Sequence, residues 1–289
     1  MDNKDLIINW YPGHMTKAMR SMKEDIRLVD LIIELVDARA PVSSENPDIA
    51  ALCNGKKRIL LLNKADLADE SVTTLWSGYY KSRGVDVIMT DSRKSNDKKQ
   101  IEDAVKKALA EKRERDKKRG ILNRPLRIMI AGIPNVGKST LINTLAKKSA
   151  AKTGDKPGVT KGKQWIKVIG GVELLDTPGV LWPKFDDPSV GIKLALIGSI
   201  NDNIIELSEL ACKGIEYLVN NYPCAVGGCY SINESGAPYE VLAGIASARN
   251  LLKTGAEPDL DRAAKLFLSD LRAAKIGRIS FERPPYEQA

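Results

Sequence analysis

Apolar positions follow two patterns along the chain, and the change between them divides it. Through the first two thirds, short aliphatic runs alternate with stretches of helical spacing, as in α/β folds. Leu28–Asp37 (LVDLIIELVD), Arg58–Leu62 (RILLL), Val85–Met89 (VDVIM) and Leu126–Ala131 (LRIMIA) read as buried strands. Such unbroken runs suit a parallel sheet covered on both faces. Gln164–Ile169 and Val172–Leu175 add two strands, joined through Gly170-Gly171, a hairpin signal. After about Pro183 the strands stop. Ser189–Ile197, Asn203–Val219, Pro238–Lys253 and Leu260–Ala274 carry Leu, Ile and Ala at helical spacing, with Asp259 or Asp261 as N-cap of the last. The pattern predicts an α/β domain over 1–183, built on a six-stranded, mostly parallel sheet with helices on both faces. A smaller all-α domain follows over 184–289.

Two helical stretches carry charge. Met15–Leu28 places Met15, Met19, Met22 and Ile26 on one face and Lys17, Arg20, Lys23 and Arg27 on the other. Ala104–Gly120 ends in turns that are almost wholly charged. A solvated connecting helix is the first expectation for it, ahead of an RNA-facing stripe, because mixed-sign runs are usually solvated faces.

Composition narrows the function classes. The net charge of +8 points to a polyanionic partner. Aromatics at 5% favour phosphate contacts over base stacking. No apolar run approaches the roughly 18 residues of a membrane span, and the N-terminus has no signal-peptide pattern. The four cysteines lack metal-site spacing. The expectation is a reduced, cytoplasmic protein.

The strongest motif is Gly132-Ile133-Pro134-Asn135-Val136-Gly137-Lys138-Ser139-Thr140, between a strand and a helix. It fits the phosphate-binding loop, G-x-x-x-x-G-K-[ST], whose backbone N–H groups cradle a β-phosphate at a helix N-terminus. Lys138 is expected to reach the β/γ-phosphates and the Ser139 hydroxyl to coordinate Mg²⁺. Asp176-Thr177-Pro178-Gly179 follows a strand, placing Asp176 to hold Mg²⁺ through water and the Gly179 N–H to meet a γ-phosphate. Between them, Thr160 in the loop Lys156–Gly162 is the candidate switch threonine on Mg²⁺. Asn63-Lys64-Ala65-Asp66 follows another strand. Asp66 can accept from guanine N1–H and N2–H₂, and adenine lacks that donor pair. Asn63 and Lys64 brace the base and the phosphate loop.

The order is inverted. In Ras-like GTPases the phosphate loop precedes N-K-x-D; here it follows. A circularly permuted Ras-like P-loop GTPase domain accommodates this, with the old termini joined through the basic helix. The chain resembles the ribosome biogenesis GTPase A (YlqF/RbgA) family of permuted GTPases. The resemblance rests on WYPGHMTKA, DARAP, LNKAD, GIPNVGKSTLIN, PGVTKG and LLDTPGVLWP, and on DRAAKLFLSDLRAAKIGRISFERP at 261–284. Asp91 and Ser92 stand where the base-supporting loop usually reads Ser-Ala, Tyr11 replaces the more common Phe, and 222–233 is atypical.

The resemblance implies a GTPase that uses GTP, GDP and Mg²⁺ and binds the precursor of the large (50S) ribosomal subunit through its rRNA. It would act late in assembly and leave on hydrolysis. Val180 stands where Ras-type enzymes carry the water-orienting Gln. The family implies two helpers: Asn135 as a K⁺ ligand, and His14, the single histidine, as the water-orienting residue or its substitute. Lys17, Arg20, Arg272, Lys275 and Arg278 are the expected RNA contacts, and a monomer off the ribosome is expected. The alternatives are a nucleotide-gated RNA-binding placeholder with little turnover, or a permuted GTPase acting on the small subunit.

Overall fold

Parallel pairing explains the unbroken aliphatic runs. The computed structural model describes residues 13–53, 55–121, 124–146, 164–168 and 172–285. Six strands form one sheet: β1 (Leu31–Asp37), β2 (Lys57–Asn63), β3 (Asp86–Thr90), β4 (Leu126–Gly132), β5 (Gln164–Val168) and β6 (Val172–Asp176). Their order is β3-β2-β1-β4-β6-β5, and only the β5–β6 pair is antiparallel. β1 begins at Leu31 rather than Leu28, because Ile26–Leu28 forms a 3-10 turn that ends the preceding helix. The Gly170-Gly171 turn lies outside the described residues.

Around the sheet run α1 (Gly13–Asp25), α2 (Pro41–Ser44), α3 (Pro47–Leu52), α4 (Glu70–Ser82), α5 (Ser95–Lys118) and α6 (Lys138–Ala146). The helical part comprises α7 (Pro188–Leu196), α8 (Leu207–Asn221), α9 (Ala225–Tyr230), α10 (Pro238–Ala248) and α11 (Leu260–Arg272). Strand alternation sorts the packing. Leu60, Leu62, Val36 and Val87 meet Val72, Trp76 and Tyr80 of α4. Ile59, Leu61, Ile33 and Leu35 share the larger core with Ile101 and Val105 of α5 and Leu141 and Ile142 of α6. Met15, Met19 and Met22 of α1 are buried, as their spacing predicts, while Lys17, Arg20, Lys23 and Arg27 are exposed. The charged end of α5 is solvated, with Asp116 its buried exception.

The helical part departs from the periodic pattern in two places. α10 stops at Ala248, not Lys253, because Asn250 takes a left-handed φ of 53° and the chain reverses to bring Leu252 opposite Pro258. The atypical stretch 222–233 contains α9, entered and left through the left-handed Cys224 and Ser231. The Glu234 carboxylate accepts from the Gly227 N–H at 2.6 Å and Tyr230 donates to Asp270 at 3.0 Å. Asp259 is the N-cap of α11, accepting from the Arg262 N–H.

One buried carboxylate joins the layers. Asp37, at the end of β1, accepts from Arg39 Nε and Nη2, both at 2.8 Å, and pairs with Lys64 Nζ at 3.1 Å. Arg39 in turn donates to the carbonyls of Ile197 at 3.1 Å and Arg272 at 3.3 Å. The tail beyond α11 returns to the sheet. Phe281 N–H donates to Arg39 O at 2.6 Å, and Glu282 accepts from Val42 N–H at 2.7 Å at the start of α2.

Burial opposes ionisation of Asp37, but the Arg39 and Lys64 cations outweigh it and hold its carboxyl below the usual range. A depressed acid contributes stability that is present above the ordinary carboxylate pKa and is lost as pH falls below about 4. Asp37→Ala strands the buried Arg39 and the half-buried Lys64, so urea unfolding should show a loss of about 3–5 kcal/mol at neutral pH. A loss under about 1 kcal/mol would contradict the hub role.

Candidate functional site

The strand ends assemble the site. Asp37 lies beside Asn63 in the β1–β2 register, and Asn63 lies beside Thr90 in the β2–β3 register. β4 and β6 deliver Gly132 and Asp176 to the same carboxyl edge, where open α/β sheets bind ligands.

After β4 the backbone passes through φ values of 145° at Gly132, 56° at Asn135 and 106° at Gly137, then enters α6 at Lys138. Glycine is required at Gly132, where a Cβ would stand 2.5 Å from Leu35 O. Val136 is buried and anchors the loop in the core, while Ser139 and Thr140 stay partly exposed at the start of α6. Lys138 Nζ donates to Ile133 O at 2.7 Å and Gly132 O at 3.1 Å. Burial lowers its ammonium to about 8, opposed by nearby Asp176 and assisted by Lys64.

Asn63 joins the two motifs. Its Nδ2 donates to Val136 O at 2.6 Å, and its Oδ1 accepts from Ser92 Oγ at 2.7 Å and Ser92 N–H at 3.0 Å. Lys64, at a left-handed φ of 59°, turns its ammonium to Asp37. Asn63, Lys64, Asp66, Asp91, Ser92, Gly137 and Thr140 line one cleft of about 130 Å³. Asp66 Oδ1 is buried there with no hydrogen-bond partner. A carboxylate oxygen in that state calls for a ligand donor, and guanine supplies two.

The last loop lies directly on the first. Thr177 Oγ1 donates to Ile130 O at 2.7 Å, fixing the chain after β6. A Cβ on Gly179 would stand 2.6 Å from Pro134 N and Cα and 2.8 Å from Lys138 Nζ. Gly179 thus touches the phosphate loop itself.

Relatives align over almost all of this architecture. A family profile described as "50S ribosome-binding GTPase" matches residues 127–220. Ribosome biogenesis GTPase A of Bacillus licheniformis is 46% identical, covering 96% of this chain and 99% of the relative. The chain belongs to the ribosome biogenesis GTPase A family. The Thermotoga maritima member is 36% identical over 96% of this chain and 95% of its own. The crystal structure of GNP-bound YlqF from T. maritima superposes with a TM-score of 0.67 at 33% identity, covering 93% of this chain and 99% of that one. The protein is therefore a GTPase of this family, with the permuted α/β sheet that the motif order predicts.

Within this GTPase the expected site residues fare differently. Val180, at the Gln position of Ras-type enzymes, is fully buried, and its carbonyl accepts from Asn46 Nδ2 at 2.9 Å. The helix begins at Gly13, so His14 sits in the first turn of α1. Its side chain, Thr160 and the stretch before Gly13 lie outside the described residues. Asn135 donates from Nδ2 to Gly198 O at 2.9 Å, tying the phosphate loop to the helical part.

The basic residues make contacts within the protein. Arg272 gives its guanidinium to Asp202, through Nη1 and Nη2 at 2.7 Å, and to the carbonyls of Ala195 and Leu196. Arg278 donates to Ala65 O, Ala68 O and Glu70. Both guanidinium groups thus help hold the protein together, with Arg278 remaining exposed. Lys275 pairs with Asp270 at 2.8 Å and stays largely exposed. Sequence spacing also missed Arg93, which pairs with Asp66 and, through Nε at 2.9 Å, with Asp91. An Arg beside the base-supporting loop, where Lys or Arg stems cover flat ligands, was the available signal.

Asn63→Ala cuts the link between Val136 and Ser92, and GDP affinity should fall at least about tenfold, one hydrogen bond's worth or more. Equal affinity by titration calorimetry would contradict that bridging role. Gly179→Ala forces the loop off Pro134, so GTP turnover should fall more steeply than GDP affinity. A parallel fall in both would argue against a state-dependent contact.

Proposed function

We propose that this GTPase is an assembly factor for the large ribosomal subunit, binding its precursor in the GTP state and leaving on hydrolysis. The contact of Gly179 with Pro134 carries the proposal, because the chain from Gly179 runs through Val180 and Leu181 straight into α7. A γ-phosphate between these two loops would move the segment that leads to the helical part. The relatives' printed name, the family profile's description and the net charge of +8 support the ribosomal partner. Lys17 and Arg20 on α1, with Lys275, supply the exposed basic surface for rRNA phosphates.

For the metal, the Ser139 hydroxyl and the Asp176 carboxylate form an all-oxygen donor set, which suits Mg²⁺. When bound, Mg²⁺ neutralises charge developing on the phosphates. Lys138 holds the β/γ-phosphates, the N–H groups at the start of α6 hold the β-phosphate, and Asp66 selects guanine. Thr160 completes the metal site in the GTP state. His14 would orient water in place of the missing Gln, and Asn135 would hold K⁺.

GTP hydrolysis measured alone, with large subunits and with small subunits tests the proposal. Stimulation by large subunits only is expected; stimulation by small subunits, or no multiple turnover with either, would favour the alternatives. His14→Ala should keep GTP affinity and lose subunit-stimulated turnover. K⁺ should raise the rate over Na⁺, and Asp66→Asn should shift preference from guanine toward xanthine nucleotides. Equal rates in both salts, or unchanged base preference, would remove Asn135 or Asp66 from its role.

A further inference from the structure

The turn that carries Asp66 is held from outside its own domain. Between β2 and α4 it has little internal support: Leu67 N–H donates to Lys64 O at 2.9 Å and Ala65 N–H to Thr90 O at 3.2 Å. Lys64 holds a left-handed φ that a residue with a Cβ adopts only under constraint. Its ion pair with Asp37 holds Lys64, and the turn beyond it is held by the chain's C-terminal segment. Arg278 Nε donates to Ala68 O at 2.8 Å and Nη2 to Ala65 O at 2.9 Å, while Nη1 pairs with Glu70 at 3.0 Å. Ala65 and Ala68 flank Asp66, so one rigid guanidinium fork grips the turn on both sides of the guanine acceptor. Ser280 Oγ accepts from Asp69 N–H at 3.2 Å, and Tyr222, beyond α8, donates to Ser280 O at 3.2 Å.

We propose that Arg278 is a positioning residue for guanine recognition: it clamps the Ala65–Ala68 turn so that Asp66 meets the base in register. This rests on Asp66 being the guanine acceptor. The clamp belongs to the segment that follows α11, so anything that displaces the helical part loosens the base-binding turn and speeds nucleotide release. The two halves are then coupled at both ends of the nucleotide, through Gly179 at the phosphates and through Arg278 at the base.

The test compares GDP with IDP, whose hypoxanthine keeps N1–H and lacks the N2 amino group. The ratio of their affinities reports how well Asp66 meets both guanine donors. Full-length Arg278→Met should release fluorescent GDP about tenfold faster, the effect of losing one well-placed charge-assisted hydrogen bond. Its GDP-over-IDP preference should also shrink. Arg278→Lys, which keeps the charge on a single nitrogen in place of the planar fork, should fall between. If Arg278→Met fails to fold, Ser280→Ala should move release and preference in the same direction. Unchanged release and preference in a folded variant overturn the proposal, as does faster release with an intact GDP-over-IDP preference, which marks a merely structural role. Asp66→Ala separates the two layers. If it leaves the preference intact, the base assignment fails; if it abolishes the preference while Arg278→Met does not, the Arg278 clamp alone fails.

Discussion

A single buried carboxylate facing one buried and one half-buried cation sets the terms for this protein. Asp37 lies at the end of the central strand β1, fully withdrawn from water, with Arg39 and Lys64 on it. A buried charge is tolerable only when it is paired and hydrogen-bonded. That requirement holds Lys64 in its left-handed conformation and the N-K-x-D turn against the sheet. It also sends Arg39 outward to the carbonyls of Ile197 and Arg272, so the helical part is hydrogen-bonded to the same cluster. The N-K-x-D turn and the helical part share one electrostatic anchor.

The permuted order leaves the sheet's chemistry intact because a sheet is read by neighbours in space. Asn63 and Val136 stand 73 positions apart in the chain and touch at 2.6 Å. What permutation changes is the company each loop keeps. The loop after β6 leads directly into α7, and the C-terminal tail comes to lie along α2, α4 and the N-K-x-D turn. Each half of the nucleotide site is thereby in contact with the helical part.

Legibility followed the range of the interaction. The phosphate loop could be read directly because its glycines answer local demands: left-handed φ values and a backbone approach that excludes a Cβ. The strands were visible because parallel pairing buries both faces and leaves an unbroken apolar run. The end of α10 was not, since Asn250 and the turn beyond it override a helical spacing that runs to Lys253. The carbonyl contacts of Arg272 and Arg278 were not visible, because a guanidinium that also bonds its own chain has the same sequence signature as one that meets only solvent.

The sequence by itself determined the sheet, the identity of the nucleotide motifs and the base that Asp66 suits, all properties carried by residue type and short spacing. Only the tertiary structure decided which charges serve the fold. Asp37 gathers Arg39 and Lys64, Arg93 sits on Asp66, and Arg278 grips the turn around Asp66. These pairings depend on distance through space and on burial, which raises the cost of every unpaired charge, and neither is written in the spacing of residues along the chain.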